Sequence, residues 1–514
     1  MPSLPSAFPE PPASALAAAS GGALHWDARA ARHLLNRAGF GGSPEEIRRG
    51  VQIGAEGQVD ALLAGEGEGD GFRHAPIGST RERRRMRELP DEERREEQRM
   101  MRRDDREQLQ AFLEHWCAGI LSSPQVLEER MTLFWHGHFT SSQQDVQSSS
   151  EMIDQHELLR RNALGSFRDL LGGVARDPAM LEYLDNDSNR KGKPNENFAR
   201  ELLELFTLGE GHYSEEDVKE VARAFTGWTD RDGEFFFARR KHDGGNKRIL
   251  GERGPLGGED VLEILLGQKQ CARHMAWKLL RYFEGVEPPT VRVKRYADLL
   301  RKEDWELRPF LSALFLDPGF YREEVVGARV TSPIDFLAGI ARRGGIDPPP
   351  LFVAAGAALL GERLCYPPSV AGWKGGTAWI TTGSLFLRAN LAGVLVGEVD
   401  LRELLKKGAG DPSLKTFGAR KLARLAWSPR VSFTRSMRAL GLASDAEIAR
   451  AMGDMLLAVE VSPSVQRNVE ALLLETRRSA GIESGALLDR AVSAEPCLRR
   501  VAHYVLSLPE AQLH

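Results

Sequence analysis

Apolar residues recur every three or four positions through most of this 514-residue chain, and strict alternation is rare. That period places them on one face of α-helices. Helices are predicted over Asp27 to Ala38, Phe112 to Leu121, Pro124 to Trp135 and Asp260 to Leu266. The same pattern marks Ala272 to Phe283, Val291 to Leu300, Pro309 to Leu316, Pro333 to Ile340 and Ala355 to Leu359. Boundary residues agree with the periodicity. Ser43-Pro44 and Ser123-Pro124 each supply a capping hydroxyl followed by a proline in the first turn. The pattern turns to strand around Thr229 to Arg239, where Asp232-Gly233 is flanked by Phe235, Phe236 and Phe237, predicting a β-hairpin.

The densest polar chemistry lies between Leu184 and Trp228, read as loop, helix, turn, helix. Asn195 is placed to cap the first helix, which is apolar over most of its circumference (Phe198, Leu202, Leu203, Leu205, Phe206, Leu208) and stops at Gly209. Ser214 caps the second, ahead of Glu215, Glu216 and Asp217. Glu201 and Glu204 share a stripe of the first helix with Asn197, and a carboxylate on a buried helix needs a partner. Arg200 and Arg223 are the expected partners.

The segment PNENFARELLELFTLGEGHYSEEDVKEVARAFTGW (194–228) resembles the signature of the DUF1800 family, a bacterial domain of unknown function. RAGFGGSPEEI (37–47), FWHGHFTSS (134–142), HDGGNKRILG (242–251) and LCYPPSVAGWKGGTAWI (364–380) are similar to other blocks of that family, in the same order. Lys374 departs from the pattern, standing where the family usually has a proline after the tryptophan. The resemblance implies no particular reaction.

The expected architecture is mainly α: a large multi-helix domain with a small β-hairpin and long Gly/Pro loops around a central helix pair. Residues 1–22 read as a Pro/Ala-rich disordered leader, 23–396 as the helical core, and 397–514 as a C-terminal helical portion packed on it. The leader has no basic region and only a short apolar patch, which favours a cytoplasmic home, although the resemblance implies that relatives are often exported. A net charge of −4 gives no general attraction to nucleic acid, and the Arg-rich stretch from Arg81 to Arg106 is interleaved with Glu, which cancels its field. No apolar run approaches the length of a membrane span. The four cysteines, far apart and without a CxxC pair, read as buried free thiols.

Imidazole and carboxylate are the donors from which Zn, Mn or Fe sites are built. The candidate ligands are His136, His138, Glu196, Glu201 and Glu204, and the candidate acid–base or anion-holding groups are His242, Asp243, Lys247, Arg200 and Arg223. The two histidines of His136-Gly137-His138 face the same way only if that segment is extended. Each residue has a competing structural role: His136 and His138 at a helix end, the glutamates in Arg–Glu pairs. Neither HExxH nor GxSxG occurs. The leading expectation is an enzyme with a polar His/Asp/Glu pocket, divalent-metal-dependent in one version, acting on a small molecule or a protein. The alternative is a non-catalytic scaffold or assembly protein whose charges form a structural network.

Overall fold

A computed structural model describes residues 24–65, 71–77, 85–86, 88–407, 417–423, 425 and 427–514. The leader and the start of the Arg-rich stretch lie outside these residues. Capping chemistry opens the chain as expected: α1 (Ala28–Arg37) is capped by Asp27, and α2 (Pro44–Leu63) by a reciprocal Ser43/Glu46 box after the glycine turn. Gly41 and Gly42 lie so close to Arg343 and Leu35 that a side chain at either would collide or crowd. The Arg/Glu-rich segment belongs to one long helix, α3 (Asp91–Ser122), laced with exposed pairs such as Arg103–Glu107, whose second half turns apolar and enters the core.

Helix α4 (Val126–His138) runs to the second histidine of the HGH motif, so that segment is helical and not extended. Residues two apart on a helix point about 200° apart, and His136 and His138 consequently enter different environments. After α5 (Ser149–Arg161) and two short helices at Phe167–Val174 and Pro178–Tyr183 comes the central pair. Its first member starts as α-helix, α6 (Asn197–Glu201), and widens into a π-turn at Leu202–Thr207, where the Leu208 amide reaches back to the Leu203 carbonyl at 2.9 Å. Its second member, α7 (Glu215–Ala224), carries the expected capping box between Ser214 and Asp217.

The predicted hairpin forms from β1 (Trp228–Arg231) and β2 (Glu234–Phe237), with Asp232 and Gly233 both at positive φ in the turn. A second hairpin, β3 (Lys247–Ile249) with β4 (Glu252–Gly254), turns at Leu250-Gly251. Among the described residues these are the two small antiparallel sheets of a mainly helical molecule. The helices that follow include α8 (Gly258–Gly267), α9 (Lys269–Glu284), α10 (Pro333–Gly344), α11 (Thr382–Val396) and α12 (Ala491–Leu506). One large hydrophobic core draws residues from Leu34 to Ala511, with a small separate cluster of Ala31, Leu35 and Ile47, and all four cysteines are buried free thiols. No helix among the described residues is long and apolar enough to cross a membrane.

Within that core lies an ionic centre. Asp335 on α10 accepts from Arg130 on α4 at 2.5 Å and from Arg329 at 3.2 Å, and all three are largely buried. The Arg130 and Arg329 guanidinium groups hold the Asp335 carboxyl well below its usual range, against the desolvation that would raise it. Arg37 of α1 is also sealed in, donating to the carbonyls of Phe283 at 3.1 Å and Val325 at 2.6 Å.

A candidate functional site at the central helix pair

The loop before α6 is braced from within. Asn186 donates to the Trp228 carbonyl, Asn189 donates to the Ala222 carbonyl, and the Asn189 side-chain oxygen receives the Asn195 amide at 3.0 Å. Asn195 in turn accepts from the Asn197 amide at 3.0 Å, but the helix begins one residue later than expected, so the cap position falls to Glu196, which makes no side-chain cap bond. An asparagine offers both donor and acceptor, so three of them can satisfy a buried irregular backbone without charge.

The arginines choose other partners than Glu201 and Glu204. Arg200 forms a two-pronged pair with Glu215 at 2.8 Å and lies 3.6 Å from Glu196. Glu204 accepts from the Tyr213 hydroxyl at 2.6 Å. Glu201 is half-buried, and desolvation, then the neighbouring Glu204 charge, raise its carboxyl. Arg223 donates to both oxygens of Glu220 and to Asp243 at 2.8 Å. That bond holds Asp243 down to about 2.

Three of the predicted acid–base residues lie together in the 242–247 loop, and their side chains are spent on Arg223 and on the backbone. The Lys247 amine donates to the carbonyls of Asp243 at 2.6 Å and Gly245 at 3.1 Å, and desolvation lowers its pKa. His242 Nδ1 lies 2.9 Å from the Thr226 carbonyl. Gly227 is required here: its φ is +82°, and a Cβ would sit 2.8 Å from the Ala238 carbonyl. An open recess of about 630 Å³, lined by Glu220, Lys247, Arg248 and Arg253 among others, lies beside the loop. A second, of about 440 Å³, is walled by Arg190, Lys193, Glu196 and Lys241.

The two HGH imidazoles part company. His136 Nε2 accepts from the Cys365 amide at 3.1 Å, and its ring lies between Trp116 and Trp373. Burial brings its pKa down to about 4, so it is a neutral acceptor and not the helix-capping cation weighed from the sequence. His138 turns toward α9. The expected metal ligands are thus distributed: His136 against the 364–376 loop, His138 against α9, Glu196 with Arg200, and Glu201 with Glu204 beside Tyr213. Among the described residues no three His, Cys, Asp or Glu groups converge in a metal-binding arrangement. The cause is the helical course of residues 136–138, which separates the imidazoles.

What His138 meets is a lysine that the sequence reading passed over. Gln270, His274 and Lys278 are four residues apart on α9 and form one polar stripe. The stripe faces the end of the π-turn, where backbone carbonyls have lost their regular partners. Gln270 donates to the Leu208 carbonyl at 2.9 Å, and His274 Nε2 lies 3.3 Å from the Leu205 carbonyl. The Lys278 amine lies 2.9 Å from both the Leu205 carbonyl and His138 Nδ1. Packing around the amine draws its pKa down to about 7 through desolvation, with no carboxylate among the causes. The residue itself is not sealed from solvent. Desolvation and then the Lys278 charge keep His138 neutral. His138 Nε2 is buried without a well-formed hydrogen bond, although the Phe206 carbonyl favours its protonated form. The signal was present in the sequence as the Gln-x₃-His-x₃-Lys spacing, but it is masked because such a stripe ordinarily lies on a solvated helix face.

The class these features define is a mainly helical protein whose asparagine-braced loops and widened helix enclose a lysine–imidazole cluster. The chain belongs to the family described as protein of unknown function, DUF1800, which it matches over residues 33–513. No curated protein and no solved structure gives a match.

Proposed function

We propose that this protein is an enzyme that moves protons at the Lys278–His138–His274 cluster. The observation that supports the reading is the placement of the Lys278 amine, 2.9 Å from a neutral imidazole nitrogen and in a desolvated setting. A lysine poised near neutrality is a general base at ordinary pH, because it is part deprotonated and still basic enough to accept a proton. His138 is the relay: its Nδ1 faces the amine and takes or returns a proton. His274 adds a second neutral imidazole, kept so by desolvation and then by Lys278.

The reading is tested by the pH dependence of Lys278 acylation with acetic anhydride, followed residue by residue by mass spectrometry. A reactivity midpoint near pH 7 supports it. A midpoint near the ordinary lysine value of about 10.4 overturns it.

A second reading, a scaffold without catalysis, has its own support in the local pairing of Arg200 with Glu215 and of Arg223 with Glu220 and Asp243. In that reading Lys278 is an ammonium that caps the carbonyls of the π-turn, as cations do at helix C-termini. The same acylation experiment separates the two.

A further inference from the structure

We infer that Lys278 is a nucleophile that forms an imine with the carbonyl group of a small aldehyde or ketone. The inference rests on the proton-transfer reading above and adds to it a covalent step and a substrate class.

Hydrogen-bond counting carries it. An ammonium has three protons to place, a neutral amine has two protons and a lone pair. Lys278 has two partners at 2.9 Å, the Leu205 carbonyl and His138 Nδ1, and both are acceptors when the imidazole carries its proton on Nε2. The neutral amine satisfies both and keeps its lone pair uncommitted, which is the form that attacks a carbonyl carbon. The flanking residues select that form: His138 presents a neutral acceptor, and Phe134, Phe139 and Phe206 pack around its ring. The buried His138 ring, on which the Phe206 carbonyl also acts, keeps Nδ1 facing the amine.

The chemistry balances without an outside oxidant or reductant. The amine nitrogen bonds to the carbonyl carbon, and the C=O π electrons move to oxygen. His138 Nδ1 takes one proton from nitrogen and passes it to that oxygen, giving a carbinolamine. The C–O bond then breaks, the oxygen leaves as water with the second nitrogen proton, and a neutral imine remains.

The test uses the full chain with propionaldehyde as the probe and cyanoborohydride as the trapping hydride donor, at pH 7, with peptide mapping. Alkylation at residue 278 is expected to run at least ~10-fold faster than at exposed Lys302, because Glu303 raises the Lys302 pKa and keeps it almost wholly protonated at that pH. Lys278→Met removes the fast site. His138→Phe, which keeps the aromatic packing and removes the relay, slows it by about 10-fold, the range of a positioned proton relay at its low end; an unchanged melting profile shows that the variant folds. Trapping at residue 278 no faster than at Lys302 overturns the inference. If acetic anhydride still reports a midpoint near pH 7, proton transfer stands and the imine alone fails. If that midpoint lies near the ordinary lysine value, both fail.

Discussion

Asp335 shows how firmly single residues hold this protein. Its carboxylate lies between two guanidinium groups with almost no water contact. Removing its charge leaves Arg130 buried and uncompensated, so Asp335→Asn is expected to cost about 3–5 kcal/mol in chemical unfolding. Because its folded pKa is held below the unfolded value, the contribution is complete above pH ~4. It is lost as pH falls further, and the variant should lack that part of acid sensitivity. Lys278 has the same sign in a higher pH window. Its folded pKa, about 7, lies below the unfolded value, so between pH 7 and 10 the unfolded chain holds the extra proton and stability rises with pH. Comparing Lys278→Met with the parent should show a stability difference that shifts in the parent's favour by on the order of 3 kcal/mol between pH 7 and 10. A flat difference would return Lys278 to an ordinary role.

At the scale of elements, the π-turn is the feature on which most depends. Gly209 ends it with φ +83°, and a Cβ there would stand 3.0 Å from His274 Nδ1. Gly209→Ala should therefore destabilise by about 1–2 kcal/mol in thermal melts and also disturb the Lys278 titration. Glu201→Gln should cost nothing measurable, since the carboxylate there is opposed by desolvation and by Glu204. Where caps and turns govern, the sequence was readable: Ser43, Ser214, Asp232-Gly233 and Gly209 all act as their residue types dictate. It was unreadable where a distant helix decides. LLELFTLG has a smooth helical period, and nothing local reveals that the stripe on α9 accepts its widened course. The sequence pattern ends the helix at Trp135 and puts His136-Gly137-His138 beyond it. The helix continues through that segment, and Gly137 has open space where a side chain would stand. The site residues failed to form one pocket for the same reason: proximity in sequence type says nothing about which Arg reaches which carboxylate.

Across the whole molecule, polar residues are used as joints between segments remote in the chain. Arg342 donates to the Gly41 and Leu121 carbonyls, Arg343 to Asn36 and to the Leu456 carbonyl, and Arg388 to Thr331 and Gln512. Such joints fix the relative placement of helices where apolar packing alone tolerates sliding, as a hydrogen-bonded guanidinium accepts few alternative geometries. A family match over residues 33–513, nearly the whole chain, is consistent with a fold whose parts depend on one another.

Arg37 carries a consequence for the birth of the protein. Its guanidinium is anchored to carbonyls 246 and 288 residues further along the chain. On a ribosome adding about 5–20 residues each second, the first helix must wait roughly 15–60 seconds before its docking ground exists. Throughout that interval the apolar face of α1 is available to chaperones, and ribosome-bound chains halted before Val325 should be cut by protease within residues 24–40, whereas chains released at full length should resist.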